Sequence, residues 1–150
     1  MILNKLFTAI FKLIFDIFKY IFKLILGKRT SKKEKEKHLK IHEEEWKKIN
    51  EDAKSTSPAV LKNTLIRADK SLDNVLKEVT KGTTMGERLI SGKHLFSEST
   101  YQEIWSAHKI RNSMVHETGF EPTVNILVRS INQLKKGVKE LGVKAWTITI

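Results

Sequence analysis

Apolar residues recur every three or four positions through residues 57–142, and this spacing constrains the fold more than any other feature of the chain. Such spacing places apolar side chains on one face of an α-helix. Three segments show it, with expected core faces formed by Leu61, Leu65, Ala68, Leu72, Val75, Leu76 and Val79, by Ile104, Ala107, Ile110, Met114 and Val115, and by Val124, Leu127, Val128, Ile131, Leu134, Val138 and Leu141. Strand-like alternation is visible only in the final KAWTITI, and a single strand has no partner. The sequence therefore predicts an all-α protein, an antiparallel bundle of four to five helices.

Residues that start and stop helices divide this bundle. Ser57-Pro58 is typical of a helix start, with serine as the cap and proline in the first turn. Gly82 is a helix end, and residues 84–87, Thr-Met-Gly-Glu, form a capping box that opens a short helix. Residues 119–122 end the long helix that follows. We expect a bundle over residues 57–142 and a C-terminal tail over 143–150, which either packs through Trp146 or pairs between copies.

Residues 1–27 form a long amphipathic helix in this interpretation, preceding the bundle. The polar residues fall within an arc of roughly 120°, and the helix would be about 40 Å long. It can lie in the plane of an anionic membrane surface through Ile2 to Leu26, span the bilayer, or bury its apolar face in the protein or an oligomer. Spanning requires Lys12, Asp16 and Lys19 near the bilayer centre, at roughly 2.5–3.5 kcal/mol each.

In both membrane interpretations, the basic residues after this helix stay on the cytoplasmic side. We therefore expect a cytoplasmic protein at the inner face of the membrane. Residues 28–56 are predicted to be a charged helical linker with few apolar anchors, namely Leu39, Ile41, Trp46, Ile49 and Ala53. His38 and His42 have the i, i+4 spacing of metal ligands, but no third ligand is evident, so a solvated helix face is favoured.

The composition limits the chemistry that the chain can carry. It has no cysteine, which excludes disulfides and thiolate chemistry. It has no Gly-rich phosphate loop and no zinc-hydrolase motif, so no cofactor and no metal site is expected. The net charge of +11 suits a polyanionic partner such as nucleic acid or anionic lipid, or it simply keeps a helical protein soluble.

The run Arg-Asn-Ser-Met-Val-His at 111–116 is the main candidate site. Arg111 falls within the apolar arc of its helix, so it requires a partner or must line a cleft or seam. His108, Asn112 and His116 follow at i, i+4 and i+8 and form a polar stripe beside it. A guanidinium, a carboxamide and two imidazoles along one edge can hold and cleave a phosphodiester. A second candidate pair, Asp69 and Asp73 with i, i+4 spacing, favours salt bridges on a helix surface.

The all-helical pattern together with Arg111, Asn112 and His116 resembles a HEPN domain, the higher eukaryote and prokaryote nucleotide-binding helical bundle. The resemblance covers residues 58–141 and extends to phrases such as LIRADKSLDNVLKE and IWSAHKIRNSMVHE, which are similar to a small bacterial subgroup. It implies a metal-independent endoribonuclease, commonly a homodimer with a composite site on the two-fold axis. Arg111, Asn112 and His116 would then be catalytic, with His108 and Lys109 binding the substrate.

The resemblance also implies the products, a 2′,3′-cyclic phosphate and a 5′-hydroxyl, as expected of a toxin-like ribonuclease. Five residues separate Arg111 from His116 by about 140° and 7.5 Å along one helix, so an Arg/His site requires two copies. Many HEPN-like domains are non-catalytic. The alternative is therefore a binding or dimerisation module held at a membrane or in an oligomer by residues 1–27. The sequence identifies no antitoxin or other protein partner.

Overall fold

The computed structural model of the protein describes Ile17 and residues 32–145, and five α-helices make up most of this part of the chain. The chain divides into two compact units, Met1–Glu36 and Lys37–Ile150. The helices are α1 (Lys32–Asp52), α2 (Pro58–Val79), α3 (Met85–Ser91), α4 (Glu98–His116) and α5 (Val124–Glu140), with a 3₁₀ turn at Lys93–Leu95. No strand occurs among the described residues. The predicted all-helical bundle is thus confirmed.

Helix α5 is the centre of the bundle and packs against both α2 and α4. Its apolar stripe of Leu127, Ile131, Leu134 and Val138 is buried. Helices α4 and α5 run antiparallel, and Gly137 makes their close approach possible. A Cβ at Gly137 would lie 2.7 Å from Ile104 Cδ1, far inside van der Waals contact. The α4–α5 seam is therefore packed without room for a methyl group.

The ends of the predicted core faces differ from expectation. Leu61 to Leu76 on α2 and Ile104 and Ala107 on α4 are buried as predicted. Val79 and Val115, each in the last turn of its helix, leave 53% and 48% of their surface exposed. Their prediction as core residues is wrong because each helix extends past the element that covers it. Ile41, predicted as an apolar anchor of α1, is also exposed.

Helix α1 packs on α2 through both core and polar contacts. Trp46 and Ile49 are fully buried among the core side chains. Ser71 donates a hydrogen bond of 2.9 Å to Glu45, and Arg67 donates one of 2.6 Å to Asp52. The few apolar anchors of this charged segment therefore suffice to bury one face, while its charges remain on the other.

The helix starts follow the predicted caps with one exception. The capping box is present, since the Thr84 hydroxyl accepts from Glu87 N–H and the Glu87 carboxylate accepts from Thr84 N–H. Ser57 occupies the cap of α2 before Pro58, but its hydroxyl makes no capping hydrogen bond. The fixed φ of proline at the first helical position, which needs no N–H partner, sets this start instead.

The start of α4 is tied to the end of α5 by Glu140. Its carboxylate accepts hydrogen bonds from Ser97 N–H, the Ser97 hydroxyl and the Thr100 hydroxyl, at 2.8, 3.0 and 2.8 Å. Partial burial raises the pKa of Glu140, but these hydrogen bonds together outweigh it and hold that pKa below its usual 4.5. The bonds fix the register of α4 against α5.

Apart from Ile17, the predicted amphipathic helix at residues 1–27 lies outside the described residues, as does the predicted pairing of the tail beyond residue 145. Within the described part of the chain, no helix has the length and apolar character needed to cross a membrane.

Candidate functional site

Asp69 is a buried carboxylate that holds two of the predicted site residues. It projects from the middle of α2 and is 2% exposed. Its Oδ1 lies 2.8 Å from His108 Nδ1, and its Oδ2 lies 3.4 Å from Arg111 Nε. The second contact is an ion pair without a hydrogen bond, since Arg111 Nε–H has no hydrogen-bond partner among the described residues. Asp69 thus supplies the partner that an arginine in an apolar arc requires.

Asn112 closes this cluster into a ring of four side chains. Arg111 Nη1 donates to Asn112 Oδ1 over 2.9 Å, and Asn112 Nδ2 lies 3.1 Å from His108 Nε2. A guanidinium only donates, so the amide oxygen must face Arg111 and the amide N–H₂ must face His108. His108 Nε2 then accepts a hydrogen bond, and Nδ1–H donates to Asp69. The ring therefore selects the neutral imidazole with its proton on Nδ1. We call Asp69, His108, Arg111 and Asn112 the Asp69 network.

Three members of the Asp69 network, Asp69, His108 and Arg111, line one wall of an open cleft of about 410 Å³. Helix α4 contributes His108 and Arg111, and the Arg111 side chain is 27% exposed. The other lining residues come from α2 and from the start of α3, namely Asp69, Lys70, Asp73, Thr84, Met85 and Gly86. An arginine at the wall of such a cleft can bind an anionic group while Asp69 fixes its position.

Trp105 supports this wall from the side. Its ring meets the His108 ring edge to face, with centroids 6.1 Å apart. A Cβ at Gly86 would lie 3.3 Å from the Trp105 ring, so the small residue at 86 lets α3 approach α4 here. The imidazole is held between Asp69, Asn112 and Trp105.

Arg88 forms a second buried ion pair at the cleft. It is 5% exposed and donates from Nε and Nη2 to the two oxygens of Asp73, at 2.7 and 2.9 Å, and from Nη1 to Gly82 O at 2.8 Å. The salt-bridge role predicted for Asp69 and Asp73 is correct. The predicted place on a helix surface is wrong for Asp69, which is buried, but holds in part for Asp73, which also pairs with Lys77 one turn along α2. The sequence analysis did not identify Arg88. The pattern that could have identified it is a charged residue next to Leu89 in a short amphipathic helix.

His116 and Lys109 are placed apart from the Asp69 network. His116 is the last residue of α4; it is exposed and forms no hydrogen bond with any described residue. Lys109 is exposed and does not line the cleft. Of the five predicted site residues, the structure therefore brings Arg111, Asn112 and His108 together. His116 and Lys109 lie on the same helix but are exposed and outside the network.

His38 and His42 share one acceptor on α2. His38 Nδ1 and His42 Nε2 each lie 3.1 Å from Glu78 Oε1, and His42 is buried. The expected solvated face thus holds for His38 but is wrong for His42, which packs between α1 and α2. Among the side chains that the structure describes, from residue 37 to residue 145, no three histidine, aspartate or glutamate side chains converge as metal ligands.

Comparison of the chain with protein-family models, with curated proteins and with solved structures finds no match.

Proposed function

We propose that the protein is a metal-independent endoribonuclease of HEPN type that acts as a homodimer. The observation that supports it is the position of Arg111, which the buried Asp69 holds at the wall of an open cleft on the helix that also carries an accessible His116. A fixed guanidinium and a free imidazole are the two groups that cleavage of a phosphodiester by an adjacent hydroxyl requires.

The reaction assigns one task to each group. His116 removes the proton from the ribose 2′-hydroxyl, whose oxygen attacks phosphorus while the bond from phosphorus to the 5′-oxygen breaks. The 5′-oxygen then takes that proton from the His116 imidazolium, so that His116 is regenerated and the products are a 2′,3′-cyclic phosphate and a 5′-hydroxyl. Arg111 stabilises the negative charge that builds up on the phosphoryl oxygens. His108 and Asn112 are positioning residues, since they hold Arg111 and their own polar atoms are already paired.

The proposed dimer follows from the geometry of α4. Arg111 and His116 lie on different sides of one helix, so the arginine of one protomer must meet the histidine of its partner. A two-fold seam along the C-terminal half of α4 uses the same residues twice and achieves this. Val115, which is half exposed beside His116, provides apolar surface for such a seam.

A second candidate function is a non-catalytic binding or dimerisation module. It is favoured by the closure of the Asp69 network, in which Asn112 already occupies His108 Nε2 and Asp69 already pairs with Arg111. A self-contained network of this kind also serves as a structural link between α2 and α4.

The two functions are separated by RNA cleavage in the presence of EDTA. Wild-type protein, Arg111→Ala and His116→Ala are incubated with a single-stranded RNA, and the product ends are identified. The controls are Arg67→Ala, which removes an arginine from a half-exposed ion pair with Asp52, and His94→Ala, which removes an exposed histidine outside α4. We expect wild type and both controls to cleave and both α4 variants to lose activity by at least about 100-fold. Equal background from all five proteins would reject the ribonuclease.

A further inference from the structure

A polar groove runs along α5 beside α4, on a part of the bundle that the Asp69 network does not use. Its volume is about 450 Å³. Its polar lining consists of three carboxamides, two cations and one carboxylate, contributed by Asn125, Asn132, Gln133, Arg129, Lys136 and Glu103. The five residues from α5 recur at helical spacing, so they form one continuous stripe. We call this surface the α5 groove.

The chemistry of the α5 groove differs from that of an ordinary solvated helix face. Carboxamides both donate and accept hydrogen bonds, as the edges of unpaired nucleobases do. Arg129 is exposed and forms no hydrogen bond or ion pair with any described residue, so its guanidinium is available to a phosphate. Lys136, by contrast, is paired with Glu103 at 2.7 Å.

Positive charge is concentrated along the same helix. Lys135 is partly buried, and its pKa is lowered by that burial and by the like charge of Lys139 one turn away. Two lysines that repel each other at i, i+4 are stabilised when a polyanion approaches them. The charge of α5 therefore favours an anionic polymer as the occupant of the groove over a neutral peptide.

The antiparallel register of α4 and α5 shows where the groove leads. Glu140 contacts Thr100, Gly137 faces Ile104, and Lys136 pairs with Glu103, so the residue number falls along α5 as it rises along α4. Both helices advance about 1.5 Å per residue. The same register brings Arg129 to the level of Arg111 and Asn125 to the level of Val115. The groove thus ends at the level of the last turn of α4, the turn that carries His116.

We infer that the α5 groove binds single-stranded RNA and guides it toward the His116 end of α4, with Arg129 on a phosphate and the carboxamides of Asn125, Asn132 and Gln133 on base edges. This inference rests on the proposed ribonuclease function, for which it names the substrate-binding surface. Glu103 opposes binding, because its carboxylate neutralises Lys136 and repels phosphate.

The test measures binding of a fluorescent single-stranded RNA to the full chain carrying His116→Ala, so that binding is separated from cleavage. Affinity is followed between about 50 and 200 mM salt, where log K falls as log salt rises and each lost phosphate contact makes that negative slope shallower by about 0.7. We expect Arg129→Ala to weaken binding and to make the slope shallower by about that amount. Glu103→Gln frees Lys136 and should tighten binding and steepen the slope. Asn132→Ala should weaken binding with the slope unchanged.

Lys47→Ala is the matched control, since it removes one exposed positive charge from α1. The inference is overturned if Arg129→Ala and Glu103→Gln shift affinity and slope no more than this control does, or if the chain binds no RNA. The ribonuclease proposal can fail independently of the groove. If the groove variants change RNA binding but wild-type protein does not cleave RNA, the groove is supported and the enzyme is rejected. RNA cleavage that the groove variants leave unchanged would keep the ribonuclease proposal and reject the α5 groove as its substrate-binding surface.

Discussion

Asp69→Asn is the substitution that tests the Asp69 network most sharply. The amide has nearly the same shape, so packing is preserved and His108 Nδ1–H can still donate to the side-chain oxygen. The change removes the negative charge that faces Arg111 Nε at 3.4 Å and weakens a charge-assisted hydrogen bond of 2.8 Å. A hydrogen bond to a charged group contributes roughly 1.5–3 kcal/mol, against about 1 kcal/mol for a neutral one, and the ion pair with Arg111 is lost as well. We expect a loss of about 2 kcal/mol in the free energy of unfolding.

Urea denaturation followed by circular dichroism measures this loss, and in a bundle of this size it corresponds to a fall in Tm of about 8 °C. Asp52→Asn is the matched control, because Asp52 pairs with Arg67 at 2.6 Å but both side chains are about 40% exposed. Such an exposed pair contributes under about 1 kcal/mol. If Asp69→Asn is no more destabilising than Asp52→Asn, Asp69 does not organise the site.

Three further substitutions test the packing and charge of the bundle. Arg88→Met should lower the free energy of unfolding by roughly 1.5–3 kcal/mol, because it removes both hydrogen bonds to Asp73 and leaves that carboxylate only the half-exposed Lys77. Arg88→Met with Asp73→Leu should recover most of the loss in urea denaturation; an equal loss in the double variant contradicts this. Gly137→Ala should lower the free energy of unfolding by about 1–3 kcal/mol, because the added Cβ would lie 2.7 Å from Ile104 Cδ1. Helix propensity alone predicts that alanine stabilises the helix, so a rise in the free energy of unfolding would contradict this prediction. Glu140→Gln should lower Tm at neutral pH. Since the pKa of folded Glu140 lies below 4.5, its stabilisation is present above that pH and is lost as pH falls through the folded value. The Tm difference should therefore close in acid, and a constant difference would refute the role of the carboxylate.

The helical bundle could be predicted because its apolar spacing is local information. The positions of Leu61 to Leu76 on one face of α2 follow from periodicity alone. Periodicity does not show where a helix extends past its neighbours, which depends on the lengths of elements distant in sequence. Val79 and Val115 were assigned to the core for this reason, although both lie in exposed last turns.

The Asp69 network was only half visible in the sequence. Arg111 in an apolar arc predicted a buried partner or a cleft, and the structure has both. Its partner lies on α2, and no local pattern links the two helices. The available signal was partial: Arg111 falls within the apolar arc of α4, and Asp69 borders the apolar arc of α2 beside Leu65 and Leu76. Opposite charges at two core faces predict an ion pair between the helices.

The two histidines of α4, His108 and His116, have different surroundings in the structure, although the sequence predicted one shared stripe. Spacing placed both on one polar stripe with Asn112. The structure assigns His108 to the Asp69 network and leaves His116 exposed at the helix end. The difference arises because only His108 lies opposite a buried carboxylate, which depends on the docking of α2 against α4.

Mixing two inactive variants tests the proposed composite site most directly. Arg111→Ala and His116→Ala proteins are combined, allowed to exchange subunits, and assayed for RNA cleavage in EDTA. If each site takes its arginine from one protomer and its histidine from the other, each mixed dimer keeps one intact site. Half of the dimers are mixed, so we expect activity to return to about one quarter of wild type. Activity that stays at the level of the separate variants would contradict a site shared across a two-fold seam.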